Sequence, residues 1–246
     1  MDNLQNQNSI SNFLDPHFPA SPSSAIVNAR EKAYWIIRDK IIYMDLKPGE
    51  PVSDKLLAEE LEMSRTPVRE ALILLSAYSM VVMKPQIGTF VSPISLERLA
   101  TEQFSRLTME KEMIRQACLR EDKMLYDSYK INLEHFAAVK KTSTTESIRR
   151  LHDLDNKFHS LAFAPCGRFN SFLHMHSYMQ HIERLRVLAL ITETQSDILS
   201  DHKAIASAVM ERDERTALIC LENHLGIYVE SLEKTKRKNP EFFILG

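Results

Sequence analysis

Apolar residues near the front of the chain recur at steps of three and four, the spacing of one face of a helix. The first such series comprises Ala33, Ile36, Ile37, Ile41 and Met44. A second helix is predicted after Ser53, whose hydroxyl can cap it, and a third begins at Ser64 or Thr66. Two β-rich triplets at 81–83 and 89–91 then predict a hairpin. The expected order is helix, helix, helix, hairpin.

The rest of the chain shows helical spacing and no convincing strand. Ser143 and Glu146 have the spacing of a capping box that opens a helix over 145–162. Further helices are expected at 172–192, 200–212 and 214–234, the last two as an antiparallel pair. This pattern predicts an all-α bundle, so the fold class is mostly α.

Local composition divides the chain into five segments. Residues 1–24 are rich in Asn, Gln, Ser and Pro, which bury too little apolar surface to offset the entropy of ordering, so a disordered tail is expected. Pro93 disfavours helical angles at Ser92, and Ser95 can cap the next helix. The other expected segments are a folded unit at 25–92, a linker at 93–98, a helical unit at 99–236 and a C-terminal tail at 237–246.

Overall composition narrows the class of protein. Five glycines in 246 residues are few, which favours helices and disfavours Gly-rich nucleotide loops. The formal net charge is −2, so any contact with DNA must be local. Three cysteines without paired spacing are typical of a reducing cytoplasm. The longest uncharged apolar run, 71–83, is shorter than the ~20 residues of a membrane helix. A cytoplasmic protein without membrane contact is expected.

Two arginines lie where a DNA-reading helix needs them. Arg65 and Arg69 fall in the first two turns of the third helix, and those turns of a recognition helix face base edges in the major groove. A guanidinium fork can bond O6 and N7 of guanine together, while the hydroxyls of Ser64 and Thr66 suit phosphate. The same spacing also fits a solvated helix face with two surface arginines.

One carboxylate and three histidines are expected to meet in the core of the bundle. Asp155 and His159 are four residues apart, side by side on one helix face. His202 and His224 fall within the apolar stripes of the last two helices. These ligands suit a divalent Zn, Ni, Mn or Fe ion, with zinc preferred, and leave room for an exogenous ligand. Each histidine could instead be a satisfied structural residue.

The first unit resembles the winged helix-turn-helix of GntR-type transcription regulators. The resemblance runs from about residue 33 to residue 91 and is carried by 46–49 (Leu-Lys-Pro-Gly), 57–61 (Leu-Ala-Glu-Glu-Leu), 64–72 (Ser-Arg-Thr-Pro-Val-Arg-Glu-Ala-Leu) and 88–91 (Gly-Thr-Phe-Val). Ser79 and Gln86 stand where relatives usually carry turn glycines. The resemblance implies DNA contacts by Lys55, Arg65, Thr66, Arg69 and a wing running from Gln86 to Gly88.

Residues 100–234 resemble the FCD ligand-binding domain of the FadR-like branch of that family. The resemblance is carried by Arg106 with Glu110, by 155–159 (Asp-Asn-Lys-Phe-His), and by 201–205 (Asp-His-Lys-Ala-Ile) followed by Asp213, Ala217 and His224. It implies that the metal ligands are Asp155, His159, His202 and His224. It also implies that an effector carboxylate is received by Arg106 and by Arg184 or Arg186.

Both resemblances together imply a ligand-responsive transcription regulator and not an enzyme. A homodimer would bind a two-fold operator in double-stranded DNA. Repression is the commoner mode of regulation in the family, so a repressor is expected. A small carboxylate held at the metal would control the affinity for DNA. A metalloenzyme using the same four ligands is one alternative, disfavoured because no HExxH-like glutamate accompanies them. A regulator with a structural metal, or none, and an apolar effector is the other.

Overall fold

The computed structural model describes residues 28–140, 142, 144–192 and 195–245. The tail expected at 1–24 and the predicted capping residue Ser143 lie outside the described residues. The first unit contains three helices: α1 (Ala29–Ile42), α2 (Asp54–Glu60) and α3 (Arg65–Ala77). Ser53 caps α2 as predicted, since its hydroxyl accepts a hydrogen bond from the backbone N–H of Leu56.

The hairpin predicted after these helices is confirmed and belongs to a three-stranded antiparallel sheet. Its strands are β1 (Pro51–Val52), β2 (Val81–Lys84) and β3 (Gly88–Val91), in the order β1-β3-β2. The register pairs Val82 with Phe90 and Val52 with Thr89. Sequence periodicity could not reveal β1, because two residues are too few to show alternation.

Seven helices form the second unit of the described chain, as the all-α prediction requires. They are α4 (Leu96–Cys118), α5 (Lys123–Ala138), α6 (Thr145–Ser160), α7 (Phe169–Tyr178), α8 (Gln180–Thr192), α9 (Gln195–Met210) and α10 (Glu214–Lys238). Thr144 is the N-cap of α6, and its hydroxyl accepts from the N–H of Ser147. The single helix expected at 172–192 is two helices, α7 and α8, which meet at Met179.

The linker and the C-terminal residues pair with each other. Strand β4 (Ile94–Ser95) lies parallel to β5 (Phe243–Ile244), which follows a 3₁₀ turn at Pro240–Phe242. The structure therefore differs from the tail expected at 237–246, because Phe243 is buried against the helical core.

The two units share a hydrophobic core. Side chains of α1, α3 and the sheet pack in one cluster with residues of α5, α6 and α8: Phe136, Ile148, Leu151, Leu154, Val187 and Leu190. Helices α6 and α8 thus touch the first unit directly. Among the described helices, none combines the length and apolar character needed to cross a bilayer.

Candidate metal centre and nucleic-acid interface

The face of α3 that the sequence predicts to read DNA lies in solvent. Arg65, Thr66 and Arg69 are exposed at the start of the helix, and the Arg65 side chain is 65% accessible. Ser64 is the N-cap residue, and its side chain makes no capping hydrogen bond with the described residues. The carboxylate of Asp54, on α2, accepts two hydrogen bonds from Arg65 Nη2, at 2.8 and 3.0 Å. This ion pair orients the guanidinium while leaving it in solvent.

The other residues predicted to contact DNA are exposed as well. Lys55 lies in the first turn of α2, with its ammonium 4.0 Å from the carboxylate of Glu59. Gln86 and Gly88 lie at the turn between β2 and β3, and Ile87 between them is 72% exposed. Both the start of α3 and the turn of the hairpin are therefore accessible to a large partner.

The four side chains predicted to bind a metal converge between α6, α9 and α10, and all four are buried. Nε2 of His224 lies 3.2 Å from Nε2 of His159 and 3.3 Å from Nε2 of His202. Oδ1 of Asp155 lies 3.1 Å from Nε2 of His202 and 3.8 Å from Nε2 of His159. Ligand atoms about 2.0–2.1 Å from a tetrahedral zinc ion lie roughly 3.3 Å from one another. The cluster therefore has the spacing that one small divalent cation requires.

Carboxylates behind the histidines turn two of the rings toward the centre of the cluster. Nδ1 of His159 lies 2.7 Å from Oε2 of Glu110, whose other oxygen accepts from Nε of Arg106 at 2.6 Å. Nδ1 of His224 lies 3.2 Å from Oδ2 of Asp201. A carboxylate at Nδ1 holds the ring proton there and leaves the Nε2 lone pair facing the cluster. Sequence reasoning missed these orienting roles, which depend on packing between helices.

Burial sets the protonation states in the cluster. It lowers the pKa of His159 to about 4 and the pKa of His202 to about 3, so both rings are neutral near pH 7 and able to bind a metal. Burial alone would raise the pKa of Asp155, but the guanidinium of Arg186 and the imidazoles of His202 and His159 together outweigh it and hold that pKa well below its usual range. A carboxylate anion and neutral imidazoles form a donor set suited to a divalent cation.

The structure separates the three arginines predicted to receive an effector carboxylate. Arg106 and Arg186 lie beside the cluster, where Arg186 donates a hydrogen bond to Asp155. Arg184 is fully buried, and it donates to the backbone carbonyls of Ser92, at 2.6 Å, and of Pro93, the first residue of the linker, at 3.4 Å. The guanidinium of Arg184 is thus engaged at the linker and not at the cluster.

Comparison with known families decides the class of the protein. The family model described as "Bacterial regulatory proteins, gntR family" matches residues 29–91, and the model of the FCD domain matches residues 104–226, half of the chain. The chain belongs to the GntR family. It is therefore a DNA-binding transcriptional regulator of the GntR/FCD type, and members of this family are regulators, not enzymes.

Curated relatives of this GntR-family regulator are themselves HTH-type regulators. The transcriptional regulator LutR of Bacillus subtilis is 30% identical over 70% of this chain and 81% of its own length. The transcriptional repressor RspR of Escherichia coli is 25% identical over 87% of this chain and 92% of its own. A regulator from an unstable DNA locus of Streptomyces ambofaciens is 28% identical over 87% and 89%.

Solved structures share the fold of this GntR-family chain. McbR/YncC of E. coli superposes with a TM-score of 0.67 at 19% identity, over 85% of this chain and 99% of the other. A GntR regulator from Rhodococcus sp. RHA1 superposes with a TM-score of 0.63 at 20% identity, over 83% and 97%. At this identity the likeness establishes the common fold alone.

Proposed function

We propose that this regulator binds a two-fold operator as a homodimer, and that a small carboxylate held with a divalent cation at the Asp155 cluster sets its affinity for DNA. The cation ligands are Asp155, His159, His202 and His224. The observation that supports the metal site, and with it control by the carboxylate, is that the ligand atoms of these side chains lie 3.1–3.8 Å from one another. Repression is the mode we expect.

A buried atom without a partner supports the proposed metal site. Oδ1 of Asp155 is buried and has no hydrogen-bond partner among the described residues, although two imidazole nitrogens lie near it. Leaving such an oxygen unsatisfied is costly in a protein interior, and a cation would compensate it. When bound, a divalent ion would supply a Lewis-acid position for a carboxylate oxygen of the effector.

The space beside the cluster limits what can enter without rearrangement. A cavity of about 10 Å³ adjoins His159 and is lined in part by Tyr129, Phe158 and Ile205. This volume holds about one water molecule. An organic acid would therefore have to displace side chains, which provides a physical basis for a response of the protein to its effector.

Removing one guanidinium tests the DNA half of the proposal. We expect Arg69→Ala to weaken binding to the operator by about 1–3 kcal/mol, because a bidentate contact to a guanine would be lost. Arg215→Ala is the matched control, since Arg215 is an exposed arginine on α10 and its loss changes the net charge equally. Fluorescence anisotropy with labelled operator measures both. Equal affinity of Arg69→Ala and the control would contradict the proposed reading face.

Elemental analysis and calorimetry test the metal half. We expect the wild-type chain to bind one zinc ion, and we expect His224→Ala to lose it because the tetrahedral set is broken. His174→Ala is the control, because His174 is exposed on α7 outside the cluster. Equal zinc content in the wild-type chain and His224→Ala would contradict the proposed ligand set.

A further inference from the structure

A line of buried polar side chains connects the cluster to helix α1 of the DNA-binding unit. Arg186 donates one hydrogen bond to Oδ2 of Asp155 and another to Oε1 of Glu183. The second carboxylate oxygen of Glu183 lies 2.9 Å from Nε2 of His152. Nδ1 of His152 in turn lies 3.0 Å from the hydroxyl of Tyr43, the residue that ends α1.

Every member of this line is withdrawn from water. Asp155, Glu183, Arg186 and His152 are each at most 3% exposed, and Tyr43 is 8% exposed. Burial alone would raise the pKa of Glu183, but Arg186, His176 and His152 together outweigh it and hold that pKa well below its usual range, so Glu183 is an anion. Buried charges are tolerated only when they are well paired. A change in the strength of one ion pair must therefore be compensated by a change in the neighbouring pairs.

The helices that carry the line also hold α1 at separate points. Arg149 on α6 donates to the carboxylate of Asp39 at 2.8 Å, and its guanidinium carbon lies 4.1 Å from the centre of the Tyr43 ring. Nε of Arg38 donates to Oε1 of Gln180 on α8 at 3.1 Å. The position of α1 is thus set by polar contacts to α6 and α8, the two helices between the cluster and the DNA-binding unit.

We propose that this line couples occupancy of the cluster to the position of α1, with Arg186 as the shared residue. The inference rests on the proposed metal site. Asp155 offers Oδ1 to the cluster and Oδ2 to Arg186, so any cation held by the cluster shares this carboxylate with the guanidinium.

The direction of the response follows from the charges. Sharing Asp155 with a cation weakens its attraction for Arg186, and the guanidinium then depends more strongly on Glu183. A tighter pair between Arg186 and Glu183 weakens the hold of Glu183 on His152, and with it the contact between His152 and Tyr43. In this scheme Arg186 is a positioning residue that transmits the state of Asp155.

The only tryptophan of the chain provides a direct readout. Trp35 lies on α1, and its ring centre is 5.5 Å from the guanidinium carbon of Arg38, the residue that contacts Gln180. The full-length protein is stripped with a chelator and titrated with zinc, whose filled d shell gives it no redox activity of its own. Calorimetry measures zinc affinity, and Trp35 emission measures the response of α1.

We expect zinc to change Trp35 emission in the wild-type chain, and we expect Tyr43→Phe to lose most of that change while binding zinc with unaltered affinity. Tyr126→Phe is the matched control, because it removes a tyrosine hydroxyl bonded to the backbone of Arg120 outside the line. Glu183→Gln is a second variant that should lose the emission change at saturating zinc, and it should also bind zinc more weakly, because Arg186 then pairs more strongly with Asp155. Thermal melts establish that each variant is folded.

The outcomes separate the coupling from the metal site. A wild-type chain that binds no zinc overturns both. A wild-type chain that binds zinc without any change in Trp35 emission overturns the coupling alone. A full emission change in folded Tyr43→Phe and Glu183→Gln also overturns it, whereas loss of the change in these variants, with retention in Tyr126→Phe, supports it.

Discussion

At the scale of residues, five described non-glycine residues adopt left-handed backbone, and Ser79 and Gln86 are two of them. Ser79 and Gln86 have φ of 57° and 60°, and the resemblance to GntR-type regulators leads us to expect glycine at both positions. Ser79 follows the C-cap of α3, with its N–H bonded to the carbonyl of Ser76 and the N–H of Met80 bonded to that of Leu75. This is a Schellman ending, in which glycine is preferred because it lacks the Cβ that makes the conformation costly.

Replacing that residue should stabilise the fold. We expect Ser79→Gly to raise the free energy of unfolding by up to about 1 kcal/mol, because the strain of a side chain in the left-handed region is removed. Ser76→Gly, three residues earlier inside the helix, should lower it by about 0.5 kcal/mol. Urea denaturation measures both. A Ser79→Gly chain that is less stable than the wild type would show that the serine side chain contributes more than the strain costs.

Single residues also show how far the sequence could predict the site. Asp155 and His159 are neighbours on one helix face, and His202 and His224 lie in apolar stripes, so their convergence could be expected from periodicity. Glu183 and Asp54 carry no such signal, because the sequence does not show that residues of other helices, His152 and Arg65, lie beside them. The roles of all these residues in binding stay predictions.

At the scale of elements, a tertiary contact with another helix favours the boundary between α7 and α8. The carboxylate of Glu102, on α4, accepts hydrogen bonds from the N–H groups of His181 and Ile182 at 3.0 and 2.8 Å. It thereby caps the first turn of α8 and favours its separate start. Apolar spacing across 172–192 is continuous, so the sequence alone predicts one helix where tertiary contacts make two.

His181, at the start of α8, should make stability depend on pH. Burial lowers the pKa of His181 to about 3, while Nδ1 of its ring accepts from the N–H of Ser95 and lies 3.0 Å from the guanidinium of Arg184. Because this folded-state pKa lies below the ordinary value of about 6.5, the unfolded chain binds more protons between the two values. The stabilisation is therefore complete above about pH 6.5 and is lost as the pH falls toward 3.

Urea denaturation at pH 7.5 and pH 5.5 checks this dependence. Each such histidine contributes up to about 1.4 kcal/mol per pH unit, so His181→Asn should flatten the profile while retaining an acceptor for Ser95. His174→Asn is the control, since His174 is exposed on the neighbouring helix. The same slope in His181→Asn and the wild-type chain would contradict the assignment.

At the scale of the whole molecule, two exposed aromatic side chains favour self-association. Phe104 on α4 is 72% exposed and Tyr178 on α7 is 67% exposed. A groove of about 890 Å³ runs between these helices, with Met109 and Met175 in its lining. A second copy of the chain covering this face would give the two-fold symmetry that a palindromic operator needs.

Native mass spectrometry should detect a dimer of about twice 28.4 kDa. Phe104→Glu should shift the population toward monomer, because a charge would have to be buried in the interface. Ile131→Glu is the control, an exposed apolar residue on α5 with 44% exposure. A wild-type chain that is monomeric at micromolar concentration would contradict the homodimer, and an equal shift in both variants would contradict this face.

The division of the chain into two units was predictable, but their contact was not. Helical periodicity indicates that Ile148 and Leu151 are buried, yet it cannot say that they share one hydrophobic cluster with residues of α1 and α3. Such contacts join residues more than 70 positions apart, and only the folded chain brings them together.

The pairing of β4 with β5 has a practical corollary for anyone who handles this protein. Residues 243–245 fix the segment that leads from the DNA-binding unit into the helical unit, because the carbonyl of Leu245 also accepts a hydrogen bond from the N–H of Glu97. Trimming the chain back to residue 239 would remove β5 and the carbonyl of Leu245, and would thereby release the segment that joins the DNA-binding unit to the helical unit.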